Sequence, residues 1–195
     1  YEIVERKKTS AKFGEYCLLF YSEKKDHYLL NAGYLLEQMD LFLASKNIGT
    51  CWYGLAQPKE KKKEGLNYII MLVFGKSGEE DFRKDLSMFR RKENKDIWEG
   101  HFDEEVIATV RLAPSACNSQ PWQIKYEDNL IKVYRNPKTK TIIPSRFLHY
   151  YNKIDMGIFL YFLDLALRKK NKIFKRELVS GVSKKGLIEI ANYHL

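Results

Sequence analysis

The segment with the clearest chemical character is Arg111–Trp122, which reads Arg-Leu-Ala-Pro-Ser-Ala-Cys-Asn-Ser-Gln-Pro-Trp. A helix should stop before Pro114, because proline disfavours helical geometry in the residue before it. Ser115 and Asn118 then lie in a turn, and Gln120 leads into a strand. Such a turn presents a hydroxyl, an amide and backbone groups together, which suits a polar ligand with a ribityl chain or ring heteroatoms. The alternative is a loop whose side chains only cap the helix end.

A second segment of similar character is Ala44–Leu55. It leaves a long predicted helix through Gly49 and brings Trp52, Tyr53 and Gly54 into one short stretch. Gly54 would let the backbone approach a flat ligand closely, and the aromatic side chains would cover the face of that ligand. The alternative is an ordinary left-handed helix cap followed by core aromatics.

The densest cationic cluster follows an apolar strand and comprises Arg83-Lys84 and Arg90-Arg91-Lys92. Arginine suits a phosphate group because its planar guanidinium donates two parallel hydrogen bonds. The alternative is a solvated basic helix.

The whole chain of 195 residues carries a net charge of +9, with 34 Lys and Arg against 25 Asp and Glu. An acidic partner, either a nucleic acid or a phosphorylated small molecule, is therefore considered. Much of the charge lies in runs that are typical of solvated surfaces, namely Lys59–Glu64, Lys169-Lys170 and Lys184-Lys185. The sequence contains no motif of an RNA-recognition, helix-turn-helix or zinc-finger domain, so no specific nucleic-acid partner is predicted.

Other function classes receive little support. The longest apolar runs, Tyr68–Phe74 and Met156–Leu163, are shorter than the roughly 20 residues that a membrane span needs. No charged-then-apolar leader opens the sequence, so no membrane partner or secretion is expected. The three cysteines form no CxxC pair, which is typical of a reduced, cytoplasmic protein. The four histidines show no metal-binding spacing, and no hydrolase triad can be assigned.

Hydrophobic periodicity predicts the elements that position these residues. The predicted helices are Leu29–Lys46, Asp103–Leu112 and Pro144–Lys170. The predicted strands are Glu2–Lys7, Tyr16–Ser22, Tyr68–Gly75, Trp122–Tyr126, Leu130–Tyr134, Ile173–Val179 and Leu187–Tyr193. The continuous apolar run Tyr68–Gly75 indicates a strand covered on both faces, so we expect helices above and below it.

The two long helices show an internal repeat. The segment Gly33–Asn47 aligns without a gap with Gly157–Asn171, which places Asp40 over Asp164. Each helix has a predicted strand before and after it, so two strand–helix–strand half-units would pack around two central helices with pseudo-twofold symmetry. The alternative is a chance match between two helices of similar composition. We expect each aspartate to bond a neighbouring backbone group or arginine rather than to act in catalysis.

With these motifs in view, the chain resembles the FMN-dependent nitroreductases. The pattern Arg-x-Ala-Pro-Ser-x-x-Asn-x-Gln-Pro-Trp at 111–122 looks like a hallmark of that family, and the helix leading into Gly49–Gly54 resembles its second signature. Most nitroreductases have these motifs in the opposite order. The order here, with the repeat, resembles a permuted subfamily in which one chain fuses two half-units and imitates the usual homodimer.

The resemblance implies an FMN between the halves and assigns roles to particular residues. Ser115 and Asn118 match positions that contact the isoalloxazine and ribityl chain, whereas Pro114 and Gln120 lie in the turn that carries them. Backbone N–H groups of Tyr53 and Gly54, beside Trp52, match those near flavin N5. Arg90 and Lys92 are the nearest matches to the phosphate-binding pair, with Arg91 as the competitor for either position.

One family feature does not match. Nitroreductases usually begin with an Arg-x-Ser-x-Arg segment that holds the FMN phosphate, and nothing in Tyr1–Glu15 corresponds to it. Because the chain opens with Tyr1 rather than Met, we expect that this segment lies upstream of the sequence given. The alternative is that the protein has lost part of its flavin site.

The sequence therefore predicts a single α+β nitroreductase-like domain over residues 1–195, with half-units of about 1–100 and 101–195. The expected function is an oxidoreductase that transfers hydride from NADH or NADPH through FMN to a nitroaromatic, a quinone or a similar small-molecule acceptor. The alternative is a non-catalytic protein that binds flavin or another small ligand. The expected assembly is a pseudo-dimeric monomer or a homodimer.

Overall fold

The structure is a computed structural model of the chain, and it describes residues 1–182 and 186–195. The chain divides into two compact units, Tyr1–Phe89 and Arg90–Leu195. Each unit combines an antiparallel sheet with a long helix, as the α+β prediction requires. The basic pair Lys184-Lys185, which the sequence predicts to be solvated, lies outside the described residues.

The first unit is built on a sheet with the order β1-β2-β5-β3, to which β4 adds at one end of β5. All of its strand pairs are antiparallel. Its elements are β1 (Glu2–Glu5), β2 (Tyr16–Ser22), α1 (Tyr28–Ala44), β3 (Ile48–Trp52), β4 (Lys62–Lys63) and β5 (Leu66–Lys76). Short 3-10 turns occupy Arg6–Lys8, Glu79–Asp81 and Leu86–Met88.

The central strand β5 is buried from Ile69 to Val73, as its apolar run predicts. Helix α1 packs against the sheet formed by β2, β3 and β5. Met71 and Val73 belong to a hydrophobic cluster with Ala11 and Ala56, which lie outside the helices. Within this unit, loop residues pack on that side of β5, so a second helix layer over this face stays a prediction.

The second unit has the sheet order β6-β7-β8-β10-β9, in which β6 and β7 are parallel and the other pairs are antiparallel. Its elements are α2 (Asn94–Ile97), β6 (Trp98–Glu99), α3 (Glu104–Val110), β7 (Trp122–Glu127), β8 (Leu130–Arg135), α4 (Ser145–Lys169), β9 (Lys175–Val182) and β10 (Ile188–His194).

Local sequence explains the boundaries near the predicted turn. Asp103 caps α3 by accepting hydrogen bonds from the N–H groups of Glu105 and Val106. Asp128 and Asn129 join β7 to β8 with φ values of 52° and 59°, which is the backbone conformation favoured in a tight two-residue hairpin. These elements bracket the segment Ala113–Pro121, which connects α3 to β7.

The two units share one topology. In each, a hairpin (β1-β2 or β7-β8) leads into a long helix, the strand after the helix lies at the sheet edge, and the last strand inserts beside the hairpin. Strands β1, β2, β3 and β5 thus correspond to β7, β8, β9 and β10. This shared topology is what the sequence repeat predicts, whereas the pseudo-twofold arrangement of the half-units stays a prediction.

The repeat is also visible in matched residues. Leu43 and Leu167, which occupy matched positions of the repeat, are both buried. Asn47 and Asn171 follow their helices with φ values of 57° and 52°, so each supplies the left-handed residue at the helix end. Gly49 does not have this role, because it pairs with Gly75 inside strand β3. Of the two residues expected to stop the helix, Asn47 and Gly49, only Asn47 therefore does so.

Candidate functional site

The turn between α3 and β7 has an unusual backbone. Cys117, Asn118 and Gln120 have φ values of 49°, 53° and 46°, a left-handed region that residues other than glycine seldom occupy. The Ser115 hydroxyl oxygen accepts a hydrogen bond from the Gln120 N–H at 2.9 Å and so closes the turn. Asn118 is exposed at the tip, whereas Gln120 is buried beneath it.

Asn118 and Gln120 join this turn to the basic segment Arg90–Lys92. The Asn118 amide nitrogen donates to the Arg90 carbonyl oxygen at 2.9 Å. The Lys92 N–H donates to Gln120 Oε1 at 2.8 Å, and Lys92 Nζ donates to the Gln120 carbonyl oxygen at 2.7 Å. Two predicted ligand-binding segments, separated by about twenty residues of chain, are thus held side by side within the second unit.

The three consecutive cations have different surroundings. Arg91 donates through Nε and Nη2 to the Leu112 carbonyl oxygen at 3.3 and 3.1 Å, and through Nη1 to Asn118 Oδ1 at 2.9 Å. Lys92 is half-buried, and this burial lowers the pKa of its amine. The Arg90 side chain is exposed and has no hydrogen bond to any part of the chain that the structure describes. Arg90 is therefore the cation best placed to meet an anionic group from solvent.

A buried acid supports the turn from below. Asp155 of α4 accepts hydrogen bonds from the Ala116 N–H at 2.9 Å and from the Ser119 hydroxyl at 3.4 Å. It is 2% exposed, and burial raises the pKa of its carboxyl to about 7. Sequence reasoning missed Asp155, although a carboxylate directly before the apolar run Met156–Leu163 was a usable signal.

The other predicted site residues lie in the first unit. Trp52 donates its indole N–H to Asp40 Oδ2 at 2.9 Å, and Thr50 donates its hydroxyl to the same carboxylate. The Tyr53 N–H donates to the Met71 carbonyl oxygen at 3.0 Å, and its ring stacks on Phe13 with centroids 4.9 Å apart. The aromatic rings and the Tyr53 N–H thus already have partners within the unit.

A second carboxyl accompanies Asp40 on α1. Glu37 is 1% exposed, and one of its carboxyl oxygens, Oε2, has no hydrogen-bond partner among the described residues. Burial, together with the neighbouring Asp40, raises the pKa of Glu37 well above its ordinary value. Burial also raises the pKa of Asp40 itself. Both groups favour the neutral form more than a solvated carboxyl does.

The structure thus brings seven of the ten predicted site residues into one cluster in the second unit, namely Arg90, Arg91, Lys92, Pro114, Ser115, Asn118 and Gln120. Trp52, Tyr53 and Gly54 lie together in the first unit. The described residues include no group of three or more histidine, cysteine or acidic side chains that could hold a metal ion. Within residues 1–182 and 186–195, no helix is both long and apolar enough to cross a membrane.

Comparison with known proteins assigns this chain to a family. The family described as "Putative TM nitroreductase" matches residues 2–167. A solved structure from Thermotoga maritima, described as "a putative nitroreductase", matches with a TM-score of 0.64 and 21% identity, covering 92% of this chain and 70% of that one. No curated protein matches the chain. The fold is that of a nitroreductase, and the chain belongs to the family described as "Putative TM nitroreductase".

Proposed function

We propose that this protein is an FMN-dependent oxidoreductase that takes hydride from NADH or NADPH and reduces a nitroaromatic, a quinone or a similar acceptor. Family and fold support a nitroreductase-like oxidoreductase. The observation that carries the cofactor assignment is the joining of Arg90–Lys92 to the 115–120 turn through Asn118 and Gln120. When bound, FMN supplies the redox chemistry by accepting hydride at N5 and passing electrons to the acceptor.

The donor groups of this cluster fit a phosphorylated, polar ligand. Arg90 offers an exposed guanidinium, which suits a phosphate group because two of its N–H groups can donate in parallel. Asn118 uses one amide proton on the Arg90 carbonyl oxygen and has a second to donate. The Ser115 hydroxyl accepts from Gln120, and its own proton stays available for a ligand oxygen or nitrogen.

The remaining residues of the cluster would position these groups. Arg91 fixes the end of α3 through the Leu112 carbonyl oxygen, and Lys92 fixes the base of the turn through the Gln120 carbonyl oxygen. Because both cations already donate to the chain, we assign the first contact with phosphate to Arg90, and Arg91 and Lys92 would add positive charge behind it.

Arg90→Gln tests the phosphate assignment. Loss of a charge-assisted hydrogen bond should weaken FMN binding by about 1.5–3 kcal/mol, measured by calorimetric titration. Riboflavin, which lacks the phosphate, should bind equally to both proteins. Arg83→Gln is the matched control, since Arg83 is also exposed in a basic run of the first unit. Equal loss of FMN and riboflavin affinity, or no loss of either, would reject Arg90 as the phosphate contact.

One observation favours the second candidate, a non-catalytic flavin-binding protein. The Tyr53 N–H donates to the Met71 carbonyl oxygen, so this group is not available to tune flavin N5 in the way the resemblance implies. Adding NADPH or NADH without oxygen distinguishes the candidates. An enzyme should bleach the flavin absorption and recover it on addition of a quinone, whereas a binding protein should hold oxidised flavin unchanged. Four further points stay predictions: the preferred nicotinamide cofactor, the electron acceptor, self-association of the chain and a cytoplasmic location.

A further inference from the structure

The second unit contains a buried arginine without an acidic partner. Arg135 ends strand β8 and is 3% exposed. No carboxylate of the described residues lies within salt-bridge distance of it, and its Nε has no hydrogen-bond partner there. Its Nη2 contacts His149 Nδ1 at 3.2 Å. Buried arginines are ordinarily paired with an anion, because an isolated charge is costly to remove from water.

Other donors without partners lie on the strand, the helix and the loop that adjoin Arg135 in the sheet or along the chain. Trp122 is paired directly with Arg135 across β7 and β8, so the two side chains lie on the same face of the sheet. The indole N–H of Trp122 is buried without a partner. The side-chain amide nitrogen of Asn152, one turn after His149 on α4, and the Thr139 hydroxyl in the following loop are also buried without partners among the described residues.

The charges that act on His149 are positive. The pKa of His149 is lowered by partial burial and by the nearby charges of Lys153 and Arg135. The imidazole is thus held neutral near pH 7, and its Nδ1 can accept the Arg135 hydrogen bond. Burial also lowers the pKa of Arg135 without any acidic group opposing that effect. The cluster therefore combines cations and unused donors, and no carboxylate of the described residues lies within salt-bridge distance of Arg135. Ser119 links Asn152 to the buried Asp155, whose raised pKa of about 7 favours the neutral carboxyl below that pH.

We propose that Arg135 and His149, together with the loop between β8 and α4, bind a phosphate-type oxyanion. The Arg135 guanidinium offers Nε and an adjacent terminal nitrogen as the fork that an oxyanion accepts bidentately. His149 is exposed, so solvent reaches the edge of the cluster at this residue. On binding, a protonated His149 would donate to the oxyanion rather than accept from Arg135. These residues differ from the Arg90–Lys92 segment, and the proposal does not depend on flavin binding.

Calorimetric titration with inorganic phosphate at constant ionic strength, set with sodium chloride, tests the site. The wild-type protein should bind phosphate, and Arg135→Gln should lower the affinity at least about tenfold, as expected for loss of a charged hydrogen bond. Arg146→Gln is the control, because Arg146 is exposed near the start of the same helix α4 and should leave the affinity unchanged. Equal affinities of the wild type and Arg135→Gln, or no phosphate binding by the wild type, would overturn the proposal.

The titration of His149 followed by NMR gives a readout that does not depend on a variant that folds poorly. Phosphate should move the His149 midpoint upward by about one pH unit, because a nearby negative charge favours the protonated ring. His101, which lies outside this cluster, serves as the internal control. An unchanged His149 midpoint at saturating phosphate would overturn the proposal.

Competition experiments identify the source of the oxyanion. Displacement of inorganic phosphate by NADPH but not by NADH would assign the site to the extra phosphate of NADPH. Binding of phosphate that no nucleotide displaces would assign it to the free ion. The Arg90→Gln variant tests the proposed FMN site, and the Arg135→Gln variant tests the oxyanion site. Either proposal can therefore fail while the other holds.

Discussion

Asp155 connects the buried helix α4 to the turn that carries Ser115 and Asn118, and its protonation should change near neutral pH. Its carboxyl has an ordinary pKa of 3.8 and a folded-state pKa of about 7, raised by burial. Between these values the folded protein binds more protons than the unfolded chain, so this group lowers the free energy of unfolding as pH rises. The stabilising contribution is complete below pH 4 and is lost as pH passes through 7.

Asp155→Asn should remove this dependence. The difference in free energy of unfolding between wild type and variant should change by about 4 kcal/mol from pH 4 to pH 8, in favour of the variant at the higher pH. Urea unfolding followed by circular dichroism at several pH values measures it. Burial also raises the pKa values of Glu37 and Asp40, so the difference between the two proteins, rather than the wild-type curve, isolates Asp155. Parallel curves would show that Asp155 titrates near its ordinary pKa.

For Asn118 and Gln120, the sequence indicates a polar turn but does not indicate which residues the two side chains contact. Their motif predicts a candidate site here, because a proline, a hydroxyl and two amides at this spacing indicate a polar turn. Their partners are the backbone groups of Arg90 and Lys92, and such long-range contacts leave no periodic signal in the chain. Both amides therefore act on the protein first, and Asn118 keeps one proton for a ligand.

At the scale of elements, Asp40 and Asp164 make matched ties from each long helix to the strand that follows it. Asp40 accepts from Trp52 on β3, and Asp164 accepts from Arg176 Nη1 on β9 at 2.9 Å. Each partner lies twelve residues after its aspartate. Asp164 also accepts from the buried Tyr193 hydroxyl at 2.7 Å. The expected arginine partner is present at Asp164, whereas Asp40 bonds the side chains of Thr50 and Trp52 instead of a backbone group or an arginine.

Asp164→Ala should be more destabilising than Asp40→Ala. The first substitution removes the charged acceptor of the buried Tyr193 hydroxyl and breaks the ion pair with Arg176, a loss of about 1–3 kcal/mol. The second removes the acceptor of Thr50 and Trp52, which are only partly buried, together with a carboxylate that burial already penalises. Chemical unfolding of both variants measures the difference. A larger effect at Asp40 would mean that the charge of Asp164 gives no net stabilisation.

The left-handed residues that follow the two long helices, Asn47 and Asn171, allow a test of whether matched positions of the repeat are equivalent in energy. Asn47 and Asn171 are both exposed and left-handed, so Ala at either position should lower the free energy of unfolding by about 1 kcal/mol. Glycine adopts this conformation without strain and should be neutral within a few tenths of a kcal/mol. Thermal unfolding of the four single variants checks the pairing. Unequal effects of Ala at the two caps would show that the matched positions are not equivalent in energy.

The helices and strands are predictable from the sequence where the hydrophobic periodicity is strong. They are less predictable where a strand forms only because it pairs with a distant strand. The long helices and the apolar strand β5 follow from spacing and length, and the hairpin β7-β8 follows from Asp128-Asn129. The sequence predicts only a helix-terminating segment where the structure has strand β3. This strand was not predictable, because its extended form depends on antiparallel pairing with β5. The two-residue strands β4 and β6 likewise form by pairing with β5 and β7. A run of two residues is too short to show a hydrophobic period in the sequence.

For the whole molecule, the repeated topology predicts that the central strand of each unit opens less readily than the edge strand beside it. In the first unit β5 lies between β2 and β3, and in the second β10 lies between β8 and β9. A strand paired on both sides has most of its N–H groups in ladder hydrogen bonds, whereas an edge strand exposes half of them. Opening a central strand therefore requires disruption of two ladders.

Native-state hydrogen exchange followed by mass spectrometry should show this order twice along the chain. We expect the slowest exchange in β5 around Met71 and in β10 around Ala191, both of which are fully buried. The edge strands β3 and β9 should exchange faster, since each has a single neighbouring strand in its sheet. A central strand that exchanges faster than its edge partner in only one unit would mean that the two topologies, although alike in strand order, do not distribute stability in the same way.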